Sequence, residues 1–235
     1  MESVTFFAGD RQIVGSIFTP DSSNLPSPPR SLPGILFVHG FKSDQSGYRS
    51  RARTASDELH AVCLTFDLSG HGHSASAVEL PSLTPRNHFD DVKAAFDMLT
   101  SNTLVDPTRI GVCGASYGAY LAALLIWERQ IRRLLLRAPA LYSDDQFGLP
   151  HRLRRHSQAD ADAPMLMESM KSFGGAVLVL ESGADQEISH EIIEVYLEAC
   201  PRARHQVIAG AAHALTEPEW KAQFLRAILT EFRDI

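Results

Sequence analysis

The sequence predicts an α/β fold, a mostly parallel central sheet with helices on both faces, and three observations lead there. Short apolar runs recur at residues 35–38, 62–66, 110–113, 134–136, 177–180 and 206–208. Most are β-branched or leucine-rich and do not alternate with polar residues, as strands covered on both faces require. Helical patterns stand between them, and strand alternating with helix implies parallel pairing through right-handed crossovers. Finally, 235 residues, 44% of them hydrophobic, suffice for one well-buried core, so a single domain over residues 1–235 is expected.

Taken in order, the chain opens with two strand patterns, residues 4–7 and 12–18, joined by a turn at Ala8-Gly9-Asp10. A Pro/Ser-rich stretch, residues 21–33, follows; too little chain precedes it to form a core, so it reads as a long surface loop. Phe89, Val92, Phe96 and Leu99 fall at helical spacing behind Thr84-Pro85, a helix-start signal. Another helix begins near Ser189. The last carries Trp220, Phe224, Ile228 and Phe232, with Thr216 and Glu219 at capping-box spacing.

Composition excludes several function classes. The net charge of −6 disfavours a nucleic-acid partner, which would want a basic stripe. Cys63, Cys113 and Cys200 are odd in number and widely spaced, against a disulfide framework or a zinc knuckle. The first residues do not read as a signal peptide, and no run approaches the ~18 apolar residues of a membrane span. A cytoplasmic protein without a membrane partner is expected.

In parallel sheets, ligands bind beyond the carboxyl ends of the strands, so chemistry is sought just after the apolar runs. After residues 110–113 comes Gly114-Ala115-Ser116-Tyr117-Gly118, then an apolar helix pattern. Glycines flank a serine that a strained strand-to-helix turn would lift above the sheet; a plain tight turn is the alternative. A serine hydroxyl needs a base. Of ten histidines, His213 follows the last strand run among small residues and precedes the final helix. His71 and His73 read as a polar loop rather than a metal site, and His60, His88, His151, His156, His190 and His205 as solvated histidines. The acid that orients the base should follow a strand and precede His213. Asp185 lies in the loop after residues 177–180, with Glu187 as second choice. Oxyanion donors are expected from the backbone N–H groups of Tyr117 and Phe41, with Gly40 folding the loop Val38-His39-Gly40-Phe41 back toward Ser116.

These residues, with Phe66-Asp67-Leu68-Ser69-Gly70-His71-Gly72-His73-Ser74, resemble the α/β-hydrolases from about Gly34 onward. The order Ser116, Asp185, His213 is theirs. The segment Gly114 to Tyr120 also resembles the nucleophile turn of prolyl-oligopeptidase-type peptidases, although Ala119 stands where a further glycine is often found. Small cinnamoyl-ester esterases and dienelactone-hydrolase-like proteins have similar turns, the latter usually with a cysteine where this chain has Ser116.

Residues 139–172 stand where this fold commonly inserts a cap, here a short one. Within them, Arg152, Arg154 and Arg155 form a basic run, read as a solvated face or a site for a carboxylate-bearing substrate. Met165, Met167 and Met170 would line an acyl pocket or pack in the core. The resulting expectation is a serine carboxylesterase for small-molecule esters with short-to-medium or aromatic acyl groups. No metal or organic cofactor is implied. A peptidase or amidase, an acyltransferase and a non-catalytic ligand-binding protein are the rivals. Ser116 removes dehalogenase and epoxide-hydrolase readings, which need an aspartate nucleophile.

Overall fold

A computed structural model describes residues 1–21, 31–74, 79–154 and 161–235. Its centre is an eight-stranded sheet in the order β1-β2-β4-β3-β5-β6-β7-β8. The strands are β1 Glu2–Ala8, β2 Arg11–Phe18, β3 Leu32–Val38, β4 Val62–Phe66, β5 Val105–Ala115, β6 Arg133–Arg137, β7 Ala176–Ser182 and β8 Arg204–Ile208. β1 and β2 form an antiparallel hairpin and β2 joins β4 antiparallel; all other pairings are parallel. Every apolar run of the sequence falls on a strand.

Among the described residues six helices connect them: α1 Ser46–Leu59, α2 Pro85–Thr100, α3 Tyr117–Leu125, α4 Pro164–Ser172, α5 His190–Ala199 and α6 Pro218–Glu231. Two hydrophobic clusters lie on opposite sheet faces. One gathers α2, α3, α4 and α5 over Leu36, Leu134, Leu136, Val177 and Val179. The other gathers α1 and α6 over Ile35, Leu135, Leu178 and Leu180. Successive strand side chains thus enter different cores, which is why the runs do not alternate. β8 differs: four of its five residues are exposed because it is an edge strand.

The helix start expected at Thr84-Pro85 is found: Thr84 caps α2 in a reciprocal capping box with Asn87. α6 is capped at Glu217, not Thr216; the Thr216 hydroxyl instead faces the Glu217 carboxylate at 3.4 Å. Pro218 takes the first helical position, where its missing N–H costs nothing, and that sets the start one residue later.

The described residues of 139–172 hold two short 3₁₀ turns and α4. α4 is the crossover helix between β6 and β7. Leu166 and Met170 on it are fully buried in the core, while Met167 packs partly against it and Met165 is exposed. Met170, and in part Met167, therefore serve packing. Arg155 lies outside the described residues, as does His156. Among the described residues no helix is long and apolar enough to cross a membrane.

Candidate active site

Ser116 stands at the junction of β5 and α3, with φ 52° and ψ −120°. That is the conformation of the first central residue of a type II′ turn, where glycine is preferred, so a serine there is strained. The bonds around it hold the turn. Ser116 N–H donates to the Arg137 carbonyl at 2.9 Å, and its own carbonyl accepts from Ala119, Tyr120 and Ala140 N–H at 3.0–3.2 Å. The flanking glycines are steric requirements. A Cβ on Gly114 would stand 2.5 Å from the Gly118 carbonyl oxygen, and one on Gly118 would collide with the carbonyl oxygens of Val38 and His39.

The sequence separates Ser116, Asp185 and His213 widely; the parallel strands bring them to one sheet edge, after β5, β7 and β8. His213 Nδ1–H donates to Asp185 Oδ2 at 2.7 Å. The acceptor is a carboxylate, so the proton sits on Nδ1 and leaves Nε2 able to accept. Burial pushes the Asp185 pKa upward, but hydrogen bonds from His213 and from the Ile188 and Glu187 N–H groups outweigh it. The carboxyl stays below its usual range. Glu187, by contrast, is largely exposed and lies 3.8 Å from His213 Nε2. Geometry selects Asp185 for Nδ1. Ser116 and His213 line one cavity of about 640 Å³, together with Phe41.

The loop after β3 packs against Ser116: a Cβ on Gly40 would lie 3.5 Å from Ser116 Cβ, an ordinary contact. The tight turn expected of Gly40 is made by Lys42, at φ 58°. Among the described residues neither Phe41 N–H nor Tyr117 N–H donates a hydrogen bond within the chain.

Sequence reasoning missed what holds this loop. His88 and His151, read as solvated, are buried, with His39 and His71 beside them. The rings pack against one another and against Phe41 and Tyr117 at centroid separations of 4.7–5.9 Å. Their bonds form one consistent network. His39 Nδ1–H donates to Gly40 O at 2.8 Å while Nε2 accepts Leu68 N–H at 3.0 Å. His71 Nε2 accepts Lys42 N–H at 3.1 Å, securing the left-handed residue, and Nδ1–H donates to Ser69 O at 3.0 Å. His88 Nε2–H donates to the same carbonyl at 3.0 Å, and Nδ1 accepts from the Tyr117 hydroxyl at 3.0 Å and His151 Nε2–H at 3.2 Å. Arg154 donates to His151 Nδ1 at 2.8 Å, with its guanidinium 4.0 Å from the Tyr142 ring centroid. The basic run is therefore split. Arg152 is exposed, Arg154 is laid on aromatic rings, and neither lines the cavity.

Burial holds these histidines neutral, His39 down to about 4 and His151 to about 3, with His71 and His88 also lowered. An unfolded histidine titrates near 6.5. Their contribution to stability is thus full above pH ~6.5 and is lost progressively below it, the loss levelling off near pH 4 for His39 and near 3 for His151. For His39 alone the loss at pH 5 is roughly 2 kcal/mol. Asp91, raised to about 6 by burial, works in the opposite direction and offsets only part of it. Urea unfolding should give markedly lower stability at pH 5 than at 7.5, and His151→Gln should reduce the slope. Equal stability at both would contradict buried neutral rings.

Two further residues were not legible. Arg137 ends β6 as a buried charge, and its Nη1 donates to the His213 carbonyl at 2.7 Å and to Ser182 Oγ at 3.1 Å, fixing the His213 backbone. Asp67 is buried after β4 and accepts from Gln45 N–H, Gln45 Nε2 and His73 N–H at 2.7–3.0 Å, tying α1 to the His71 loop.

Comparison with known proteins agrees with this architecture. An uncharacterised protein of Mycobacterium tuberculosis strain H37Rv is 29% identical over 194 residues, covering 80% of this chain and 65% of that protein. The chain therefore spans a little under two thirds of that relative. Est1E from Butyrivibrio proteoclasticus with ferulic acid bound superposes with a TM-score of 0.76 at 16% identity, covering 97% of this chain and 96% of that one. The acylaminoacyl peptidase of Pyrococcus horikoshii gives 0.77 at 15% identity, covering 98% of this chain and 41% of that one. At such identities the likeness establishes the fold. The alpha/beta hydrolase family model matches residues 35–166, more than half of the chain, and includes the strand ends that carry Phe41 and Ser116; the protein belongs to the alpha/beta hydrolase family.

Proposed function

We propose that this hydrolase cleaves carboxylic esters through an acyl-Ser116 intermediate. The observation that carries the reading is the 2.7 Å bond from His213 Nδ1–H to Asp185, which leaves Nε2 basic in the cavity that Ser116 also lines. The substrate carbonyl would lie between Ser116 Oγ and the Phe41 and Tyr117 N–H groups. His213 Nε2 takes the serine proton as the C–O bond forms, and the N–H pair receives the charge on the carbonyl oxygen. Collapse of the tetrahedral species expels the alcohol, protonated by His213. Water, deprotonated by the same nitrogen, then attacks the acyl carbon and releases the acid and Ser116. Asp185 holds the ring in one tautomer and stabilises the imidazolium.

A cavity of about 640 Å³ suits a small-molecule ester, and Tyr48, Leu215 and Phe224 supply apolar wall. The ferulic acid in the Est1E neighbour is in keeping with aromatic acyl groups. We infer short-to-medium or aromatic acyl esters, with neither nucleic acid nor membrane as partner. The three cysteines, free and buried, suit a cytoplasmic setting. The peptidase neighbour favours amide cleavage as the second reading. Both are tested by kcat/KM for para-nitrophenyl esters of increasing acyl length beside aminoacyl arylamides. Short or aromatic esters should lead. A steady rise to long-chain esters, or arylamides above esters, would overturn the substrate class.

A further inference from the structure

The cavity's charge is opposite to the chain's. In a protein of net charge −6, its wall carries Lys42, Arg51, Arg137 and Lys221 against only Asp44 and Glu187. The two carboxylates are partly committed. Asp44 accepts Ser46 N–H at 2.7 Å at the start of α1, and Glu187 lies near His213. None of the four cations has a carboxylate within 4.0 Å among the described residues.

Arg137 is the decisive one. Buried charges are normally paired, because an isolated ion in a low-dielectric setting is costly. Arg137 is 7% exposed, and burial lowers its pKa, yet a guanidinium keeps its proton at neutral pH. Its described bonds come from Nη1 to neutral oxygens, and the Asp185 carboxylate acts on it only from beyond ion-pair distance. Arg51 repeats the pattern on α1. Its guanidinium lies 5.1 Å from the Phe224 ring centroid and bonds to the Gly47 carbonyl, while Nε is buried without a partner. Tyr48, on the same wall, buries its hydroxyl against the Cys113 thiol. A cavity wall with four cations against two carboxylates, and with the Arg51 Nε–H unmet, suits an acceptor the chain does not supply.

We propose that this wall is an anion subsite, at which Arg137 and Arg51, supported by Lys221 and Lys42, bind a carboxylate carried by the ester substrate. The proposal rests on the ester-hydrolase reading and narrows it to anionic esters. The carboxylate can belong to the acyl chain, as in a dicarboxylate monoester, or to the leaving alcohol.

Two substrate pairs separate these sources. Para-nitrophenyl hydrogen glutarate against para-nitrophenyl pentanoate places the charge on the acyl side. Para-acetoxybenzoate against para-acetoxybenzamide places it on the leaving group. One pair should show kcat/KM at least ~10-fold higher for the anion, with KM rising as salt is added. In Arg51→Gln/Lys221→Gln the ratio should fall toward one, since each lost charge-assisted bond is worth about a factor of ten or more. Arg137 is left intact because its loss would also release the His213 backbone. In parallel, glutarate dianion is titrated calorimetrically into Ser116→Ala protein and into the same protein with both cation substitutions. Binding that weakens roughly tenfold in the latter supports the subsite even if no ester is turned over, which would sink only the esterase reading. Turnover of neutral esters with both ratios near one overturns the subsite and leaves the hydrolase. Absence of both turnover and glutarate binding overturns both.

Discussion

Ser116→Ala should lose ester turnover and covalent labelling by a fluorophosphonate together, with kcat falling by as much as ~10⁶-fold. The label requires an activated oxygen nucleophile, and mass spectrometry of the labelled wild-type peptide should place the adduct on Ser116 alone. The loss should be chemical, because the turn is held by the Ser116 backbone N–H and C=O, which alanine keeps. A companion substitution exposes the strain separately. At φ 52° and ψ −120°, Ser116→Gly removes the Cβ and should raise thermal stability by about 1 kcal/mol while abolishing turnover. An adduct elsewhere in the chain with Ser116→Ala still active would remove the nucleophile assignment.

Asp185→Asn should cost roughly 10⁴-fold in kcat, the scale known for the equivalent change in trypsin. An amide in place of the carboxylate can donate to Nδ1, which drives the proton to Nε2 and leaves no base facing the serine. Glu187→Gln should be mild by comparison, because Glu187 is exposed and lies 3.8 Å from His213 Nε2 rather than bonded to Nδ1. Kinetics of the two variants at fixed pH decide between the carboxylates. A silent Asp185→Asn beside a dead Glu187→Gln would reverse the assignment.

Much of the architecture was legible because local chemistry and global layout agree. The strand at 62–66 is apolar except for Thr65, and both faces of β4 are covered. Ser116, Asp185 and His213 could be picked out as candidates because ligands of a parallel sheet bind beyond the strands' carboxyl ends and each residue follows a strand there. What escaped were pairings between distant segments. His88 sits in α2 as one polar residue among ordinary helix positions, and only its contacts with Tyr117, Ser69 and His151 make it a core group. Arg137 reads as the charged end of a leucine run. The basic run in residues 139–172 is dense in the sequence, whereas the cations lining the cavity come singly from a loop, α1, β6 and α6. Local sequence density does not report convergence of that kind.

The absence of room for a Cβ at Gly118, against the Val38 and His39 carbonyls, has a consequence for adaptation. The serine turn and the loop of Phe41 are seated on each other so closely that neither can be reshaped alone. New substrate preferences must therefore arise on the opposite wall, where α1 and the segment around α6 contribute Tyr48, Arg51, Leu215, Lys221 and Phe224. A directed-evolution library confined to those five positions should yield altered specificity with the fold retained, whereas one spread over residues 38–42 and 114–118 should return mostly unfolded or inactive chains.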